Sequence, residues 1–334
     1  MSETVSATKK LSAADADAFD QFGIAVGING NRVVVGANGD DQAGVNAGAA
    51  YLFDSATGSQ FYKFVPGANR AGSNFGYSVD VNQSFVIIGA PDAGLPGFRS
   101  GAVSVYDVIT GAFLRELVGS GSGNLSTFGR SVAIDGDFAL VGAPFEDTVR
   151  GVDAGSVYLF KVRTGQQLAR YIPADGAAGD LFGYSLDLLG SNALIGTDGR
   201  RAYVIDTQTG AQRAVLVPLD REAGDHFSIS VALTADTAYV SALNKTIGGL
   251  NQGSVYQFGL FPGIDYGRQM AQLTIANGSA GDRFGEGLAA SQTRLVVGAT
   301  SRDTERGVDS GAVFVRPSRP VESTADFGVF DQQQ

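Results

Sequence analysis

Two nearly identical charged segments of the chain could contact a ligand, Asp147–Gly155 and Asp303–Gly311. Both have the pattern D-T-x-R-G-V-D-[A/S]-G, in which an arginine stands between two aspartates. The guanidinium group of arginine binds carboxylates through paired hydrogen bonds, and carboxylates bind hydroxyl groups or cations. The pattern fits either contact with a charged, hydroxyl-rich ligand or a brace in which Asp147 pairs with Arg150 and Asp303 with Arg306. We favour the brace.

Residues suited to catalysis or metal binding are scarce. The chain has one histidine, His226, and no cysteine, which excludes thiolate sites and sites built from several histidines of one chain. A Ser-His-Asp triad would have to use His226, which we interpret as a variable surface residue. No phosphate-binding or dinucleotide fingerprint occurs. We therefore expect no enzyme activity and no cofactor, and we leave a calcium ion on the acidic loops open without predicting it.

The composition narrows the range of partners and compartments. The net charge is −10 and the pI is about 4.6, which argues against nucleic acid and against an anionic membrane surface. No apolar run is long enough to cross a bilayer, so no membrane insertion is expected. The first residues lack the apolar segment of a Sec signal peptide. An extracellular or particle-associated location would then require another route of export or release.

The chain is built from a repeat of about 52 residues. Each copy begins with Phe-Gly or, once, Phe-Ser, and continues with short runs rich in β-branched and aromatic residues, which predict strands. Turn sequences such as DSATG and DVITG join the third and fourth runs as tight hairpins. Each copy is thus predicted to be a four-stranded antiparallel meander. The first residues of the six copies are Phe22, Phe75, Phe128, Phe182, Phe227 and Phe284.

Six such sheets can bury their faces only against one another, so the repeat predicts an all-β, six-bladed β-propeller. The sixth copy has three predicted strands before Pro317, and we expect Lys9–Ser12 to supply the fourth and close the ring. A seven-bladed alternative would need another copy, for which only Ala325–Phe330 is available. The predicted domains are an N-terminal tail (1–8), the propeller (9–316) and a C-terminal linker with an apolar tail (317–334).

The segment FGRSVAIDGDFALVGAP, Phe128–Pro144, resembles the FG-GAP repeat, and the resemblance extends over roughly residues 9 to 316. The same repeat builds the ligand-binding head of integrin α chains. The resemblance therefore implies a propeller and favours adhesion or recognition. One feature departs from the integrin pattern: the loop Ile134–Asp137 is too short to wrap a calcium ion. We expect a compact, calcium-poor form of the repeat.

The longer and more varied loops join the second and third strands or connect blades, and we expect the binding surface there. Blades one, two and five lack the D-T-x-R-G segment, and the short loop of blade four is expected to leave a notch. The inter-blade aspartates Asp180, Asp225 and Asp282 are predicted to accept backbone N–H bonds rather than to bind metal. The candidate ligand contacts are Phe98, Arg99, Phe145, Asp147, Arg150, Asp153, Arg200, Arg201, Lys245, Arg302, Asp303, Arg306 and Asp309.

These features favour a propeller that recognises a cell-surface polysaccharide or glycoprotein, exported or displayed on a phage-like particle. One alternative is a scaffold that assembles partner chains through the propeller and residues 317–334, by docking to a carrier or by self-association. The same tail could instead pack on the propeller's own rim. A further alternative is a polysaccharide-cleaving enzyme that uses paired carboxylates, although the chain has no tryptophan to stack on a sugar.

Overall fold

The computed structural model describes residues 10–67, 70–95, 98–121, 123, 125–263, 266–304, 307–318 and 326–327. This part of the chain contains strands and no helix. The strands form six antiparallel blades, so the predicted all-β, six-bladed β-propeller is confirmed, and the seven-bladed alternative is wrong. Contacts divide the chain into two units, Met1–Ala143 with Phe160–Leu168, and Pro144–Leu159 with Ala169–Gln334. We call them unit 1 and unit 2.

Unit 1 contains blades one and two. Blade one consists of β1 (Val26–Asn29), β2 (Arg32–Ala37), β3 (Ala49–Asp54) and β4 (Gln60–Phe64). Blade two consists of β5 (Ser78–Val81), β6 (Phe85–Ala90), β9 (Ala102–Asp107) and β10 (Phe113–Leu117), and a small ribbon of β7 (Gly94–Leu95) and β8 (Phe98–Arg99) lies in its long loop. The strands of blade three, which both units share, are β11 (Ser131–Asp135), β12 (Phe138–Ala143), β13 (Ser156–Lys161) and β14 (Gln166–Tyr171).

Unit 2 contains blades four to six. Blade four consists of β15 (Leu186–Leu189), β16 (Asn192–Gly196), β17 (Ala202–Asp206) and β18 (Gln212–Leu216). Blade five consists of β19 (Phe227–Leu233), β20 (Thr237–Ala242), β23 (Ser254–Gly259) and β24 (Gln269–Ile275), with the ribbon β21 (Thr246–Ile247) and β22 (Leu250–Asn251) in its loop. Blade six shows β25 (Phe284–Ala290), β26 (Arg294–Ala299) and β27 (Ala312–Pro317). The last strand described, β28 (Asp326–Phe327), pairs in parallel with β24.

The ring-closing strand predicted at Lys9–Ser12 is not among these strands. Lys9 lies outside the described residues, and residues 10–12 are irregular. Leu11 and Ala13 instead pack against the core of blade one, beside Val33 and Tyr51. Asp15 holds the same segment to blade one through an ion pair with Lys63 at 2.7 Å. Burial of these apolar side chains and the ion pair hold the segment against blade one. These contacts explain why residues 10–12 are irregular and do not form the predicted strand.

The repeated phenylalanines explain the spacing of the repeat. Each of them from Phe75 onward is buried, and in these five blades its ring packs edge-on against an aromatic ring of the third strand, as Phe182 does against Tyr203 at 5.3 Å. The backbone of Phe182 also pairs with Gly155, where the third strand of the preceding blade begins. A Cβ at Gly155 would lie 2.3 Å from the Phe182 carbonyl oxygen. Glycine at this point therefore lets consecutive blades approach.

A candidate binding surface on the loops of unit 2

The candidate site is a row of loops in unit 2, which we call the loop belt. Each loop is joined to the next by a hydrogen bond or an ion pair at 2.6 to 3.1 Å. The linked pairs are Gly179–Val152, Asp198–Asp180, Gly199–Phe227, Asn244–Asp225, Gly281–Asn251 and Arg302–Asp282. The belt consists of residues 144–155, 172–182, 197–201, 217–228, 243–253, 276–284 and 300–311, apart from 305–306, which lie outside the described part of the chain.

The loop of blade three is braced by a side chain that binds its own backbone. The Asp147 carboxylate accepts the N–H of Asp153 at 2.9 Å, and Thr148 and Gly151 exchange two backbone hydrogen bonds. Asp153 has a φ of 52°, in the left-handed region that aspartate tolerates better than most residues. The brace is therefore real, but the predicted pairing of Asp147 with Arg150 is not formed, and no ion pair of Arg150 is found among the described residues.

Blade six repeats this geometry. Asp303 accepts the N–H of Asp309 at 2.8 Å, Thr304 bonds Gly307 in the same manner, and Asp309 has a φ of 51°. The predicted pairing of Asp303 with Arg306 cannot be compared, because Arg306 lies outside the described residues. The described residues of the second segment therefore match the geometry of the first.

Blade one, in unit 1, carries a shorter version of the brace. Asp41 accepts the N–H of Asn46 at 2.6 Å, and Asn46 also has a positive φ, 48°. Blade one lacks the D-T-x-R-G segment, as the sequence showed, and its turn is one residue shorter and has no arginine, yet the aspartate brace is present. The shared signal is G-V-[D/N]-[A/S]-G, which occurs in blades one, three and six and could have been found in the sequence.

The inter-blade aspartates have the predicted structural role. Asp180, Asp225 and Asp282 are buried, and each accepts the N–H of the residue three positions earlier at 2.8 Å. A short carboxylate that closes its own turn in this way satisfies a backbone donor and fixes the turn.

The same three aspartates bind cations that the sequence suggested as ligand contacts. Their partners are Arg200 at 3.5 Å, Lys245 at 3.2 Å and Arg302 at 2.6 Å, respectively. Lys245 is buried. Burial alone would lower the pKa of its ammonium group, but hydrogen bonds to Asp225 and Asp220 outweigh this effect and raise the pKa. A ligand could reach Lys245 only by breaking these bonds.

Blades three, four and five each hold, within unit 2, a buried tyrosine against a carboxylate and a cation. In blade three, the Tyr158 hydroxyl lies 2.9 Å from the Glu146 carboxylate, which also binds Ser156 and, at 2.9 Å, Arg170. Burial raises the pKa of the Glu146 carboxyl, and it also raises the pKa of Tyr158. The corresponding sets in blades four and five are Tyr203–Asp175–Arg201 and Tyr256–Asp220–Lys245. These clusters attach the loops to the third strands of their blades.

The short turn of blade four explains the one Phe-Ser copy. Ser228 is fully buried, and its hydroxyl lies 2.9 Å from the carbonyl oxygens of Thr197 and Arg201 and accepts the N–H of Thr197 at 2.9 Å. The serine side chain therefore satisfies backbone groups at the shortened turn. The notch expected beside this turn stays a prediction.

Several aliphatic side chains are exposed on the belt among its polar ones. Val149 is 90% exposed, Val152 63%, Val308 80% and Leu219 87%. They lie outside the charged and aromatic residues that the sequence suggested as contacts. The loops thus present aliphatic side chains beside charged ones, and most of the charged belt residues form ion pairs.

The other predicted contacts are distributed as follows. Phe145 is half-buried, and Asp147, Arg150, Asp303 and Asp309 are exposed. Phe98 and Arg99 belong to β8 in unit 1, and the structure describes only their backbone. His226 is half exposed with its Nδ1 3.6 Å from an Asp198 oxygen. The described residues contain no group of three or more side chains placed to hold a metal ion, and no helix long and apolar enough to cross a membrane.

The fold and the repeat define the class of protein. The family model of the FG-GAP repeat matches residues 5–53, 59–106, 114–160, 210–258 and 268–316. These segments make up more than half of the chain, which belongs to the FG-GAP repeat family. The unmatched interval holds the fourth repeat, whose loop is shortest. FG-GAP propellers often serve as protein-binding or adhesion scaffolds.

The comparisons with whole proteins add information on the fold only. No curated protein matches the chain. The crystal structure of the computationally designed Ika8 protein is similar, with a TM-score of 0.54 and 17% sequence identity over 87% of this chain and 69% of that one.

Proposed function

We propose that the protein is a non-enzymatic recognition module that binds a cell-surface glycan or glycoprotein through the loop belt of unit 2. The observation that carries the proposal is the pair of matching, braced loops in blades three and six. In each, the aspartate brace fixes the backbone next to an exposed valine, Val152 in blade three and Val308 in blade six, and a second exposed valine, Val149, lies in the turn of blade three. We include in the proposal that the protein acts outside the cell or on a phage-like particle.

Rigid loops are suited to binding because ordering a flexible loop costs affinity. The brace, the left-handed residue and the contacts to the neighbouring inter-blade loop set the backbone before a ligand arrives. Exposed apolar side chains on such a surface typically mark a macromolecular partner. The belt supports the glycoprotein more strongly than a bare charged polysaccharide, because most of its charged side chains already form ion pairs.

The experiment compares binding of the full chain to intact cells and to a glycan array. The test variant carries Val149→Asp and Val308→Asp, which place charges at exposed positions of both loops and leave the bracing aspartates unchanged. The matched control is Ile109→Asp, at a similarly exposed aliphatic residue (61%) in a short hairpin of unit 1. We expect at least a tenfold loss of cell binding for the double variant and no change for the control. Wild-type binding by the double variant would contradict the proposal.

A second candidate function is assembly with partner chains through the C-terminal tail. Within this chain, β28 pairs in parallel with β24 at the edge of blade five, so residues 326–327 lie on the protein's own blade, and assembly would require this strand to exchange between chains. The same edge pairing between chains would be a form of strand addition. Removal of residues 319–334, which leaves β27 and the buried Ser318 in place, should then abolish a complex seen by size-exclusion chromatography, whereas an unchanged elution profile would argue against this function.

A further inference from the structure

We infer that two exposed pairs on the belt, Val149 with Arg150 and Leu219 with Arg221, are the principal contact points and select a protein segment with carboxylates beside apolar side chains. This inference rests on the proposed function and deepens it by naming the chemistry of the partner. It is carried by three observations: the exposure of the aliphatic members, the rigidity of their backbones and the absence of acidic partners for both arginines within the described part of the chain.

The first pair stands at the tip of the blade-three loop. Val149 and Arg150 are the two central residues of a turn closed by the backbone bonds between Thr148 and Gly151. The N–H of Arg150 also donates to the Thr148 hydroxyl oxygen at 3.0 Å. Both tip side chains are exposed. The turn therefore presents an isopropyl group next to a guanidinium group on a fixed backbone.

The second pair flanks Asp220, which is bonded to buried side chains of blade five. Asp220 accepts hydrogen bonds from the Tyr256 hydroxyl at 2.7 Å and, at its backbone carbonyl, from the Lys245 ammonium at 2.5 Å. The preceding N–H, of Leu219, donates to Gln269 Oε1 at 2.9 Å. With Asp220 fixed, Leu219 and Arg221 remain exposed on either side of it.

The charge pattern separates these two arginines from the other belt cations. Arg200, Arg201, Lys245 and Arg302 each pair with an aspartate. Their charges are thus already compensated. A guanidinium without an acidic partner keeps its donors for a planar, bidentate contact with an incoming carboxylate.

An aliphatic group beside each arginine narrows the partner further. A purely anionic polysaccharide would meet the guanidinium groups but would leave the exposed valine and leucine without apolar contacts. A protein segment with Asp or Glu next to apolar residues satisfies both members of each pair. Arginine next to buried apolar contacts is also a common composition of interface hot spots.

The test selects peptides from a random heptapeptide library on the immobilised full chain. We expect enriched sequences to contain Asp or Glu next to an aliphatic or aromatic residue. One enriched peptide is then measured against Arg150→Glu, Arg221→Glu and Arg294→Glu. The last is the control, because Arg294 is an exposed arginine of unit 2 at the start of β26, outside the belt. Binding should weaken at least tenfold for either belt variant and stay unchanged for the control.

Arg150→Lys adds a second criterion, since it keeps the charge but loses the paired donors. Its affinity should fall between those of the wild type and Arg150→Glu. Enriched peptides without acidic residues, or equal binding by wild type and both belt variants, would overturn the inference. So would binding to alginate or heparin when no peptide is enriched.

The two proposals fail in different ways. If Val149→Asp with Val308→Asp abolishes cell binding while Arg150→Glu and Arg221→Glu bind cells normally, the proposed function stands and the inference on the partner falls. If the variant with both Val149→Asp and Val308→Asp binds cells normally, the proposed function itself is refuted. Unfolding curves of each variant, expected to match the wild type because all four positions are exposed, show whether lost binding reflects lost structure.

Discussion

The Asp147 carboxylate accepts the backbone N–H of Asp153 at 2.9 Å, six residues along the same loop. This bond, rather than a pairing of aspartate with arginine, gives the blade-three loop its form. Since the neighbouring Arg150 is not needed for the brace, it is available for a partner. The same division between bracing and presenting residues underlies both proposals for the loop belt.

Replacement of Asp147 should loosen the loop without unfolding the blade. In Asp147→Ala, the N–H of Asp153 loses its acceptor, so its amide should exchange roughly tenfold faster, equivalent to about 1.4 kcal/mol. Hydrogen exchange followed by NMR or mass spectrometry measures this effect. Asp147→Asn retains an acceptor oxygen and should restore most of the protection, and Asp303→Ala should leave Asp153 unchanged. Faster exchange in Arg150→Ala but not in Asp147→Ala would show that the Arg150 guanidinium, and not the Asp147 carboxylate, fixes the loop.

Glycine at the start of a third strand should be irreplaceable. An alanine Cβ at Gly155 would lie 2.3 Å from the Phe182 carbonyl oxygen, and the φ of Gly155 is 80°. We expect Gly155→Ala to lower the free energy of unfolding by about 3 kcal/mol or more. Gly179→Ala is the control, because Gly179 has a similar φ of 74° but no atom near its Cβ position, and its cost should be about 1 kcal/mol. Urea unfolding measures both, and equal costs would refute the role of close approach.

Ser228 should be more stabilising than the glycine found in the other copies. Its φ of 69° favours glycine, whereas the loss of its hydroxyl leaves the buried N–H of Thr197 without its acceptor. Since an unsatisfied buried group costs about 1–3 kcal/mol, the second effect should exceed the first. The expected order of stability in urea unfolding is wild type, then Ser228→Gly, then Ser228→Ala. A Ser228→Gly variant as stable as wild type would show that the serine is merely tolerated.

The buried carboxyl of Glu146 should make stability depend on pH. Burial raises its folded-state pKa above the ordinary value of 4.5, so the folded protein binds this proton more tightly than the unfolded chain. Its stabilising contribution is complete below the unfolded pKa and is lost as the pH rises through the folded pKa. The stability of Glu146→Gln relative to wild type should therefore increase between pH 4 and pH 7. Urea unfolding at several pH values tests this, and a difference that does not vary with pH would contradict it.

Features with a local or periodic cause could be predicted from the sequence. The Phe-Gly spacing and the strand runs gave six blades, because each copy repeats the same packing. The turn aspartates Asp180, Asp225 and Asp282 were also predicted, since each bonds a donor only three residues away.

Features that depend on contacts between loops were missed. Asp180 pairs with Arg200 and Asp225 with Lys245, and in each pair the residues lie in different loops that only blade packing brings together. The sequence shows the charges but not their compensation, so it suggested a highly charged surface. Leu219 was overlooked because one aliphatic residue in a polar loop carries no periodic signal, and its exposure follows from the anchoring of Asp220.

The bond between Ser228 and the turn of blade four has a consequence for protein engineering. Blade four is the natural place to graft a new binding loop, because its own turn is the shortest. A graft between β16 and β17 would move Thr197 and Arg201 and leave the serine hydroxyl buried without partners. Insertion of the loop and reversion of Ser228 to glycine must therefore be made in the same step, since each change made alone carries a penalty that the other removes.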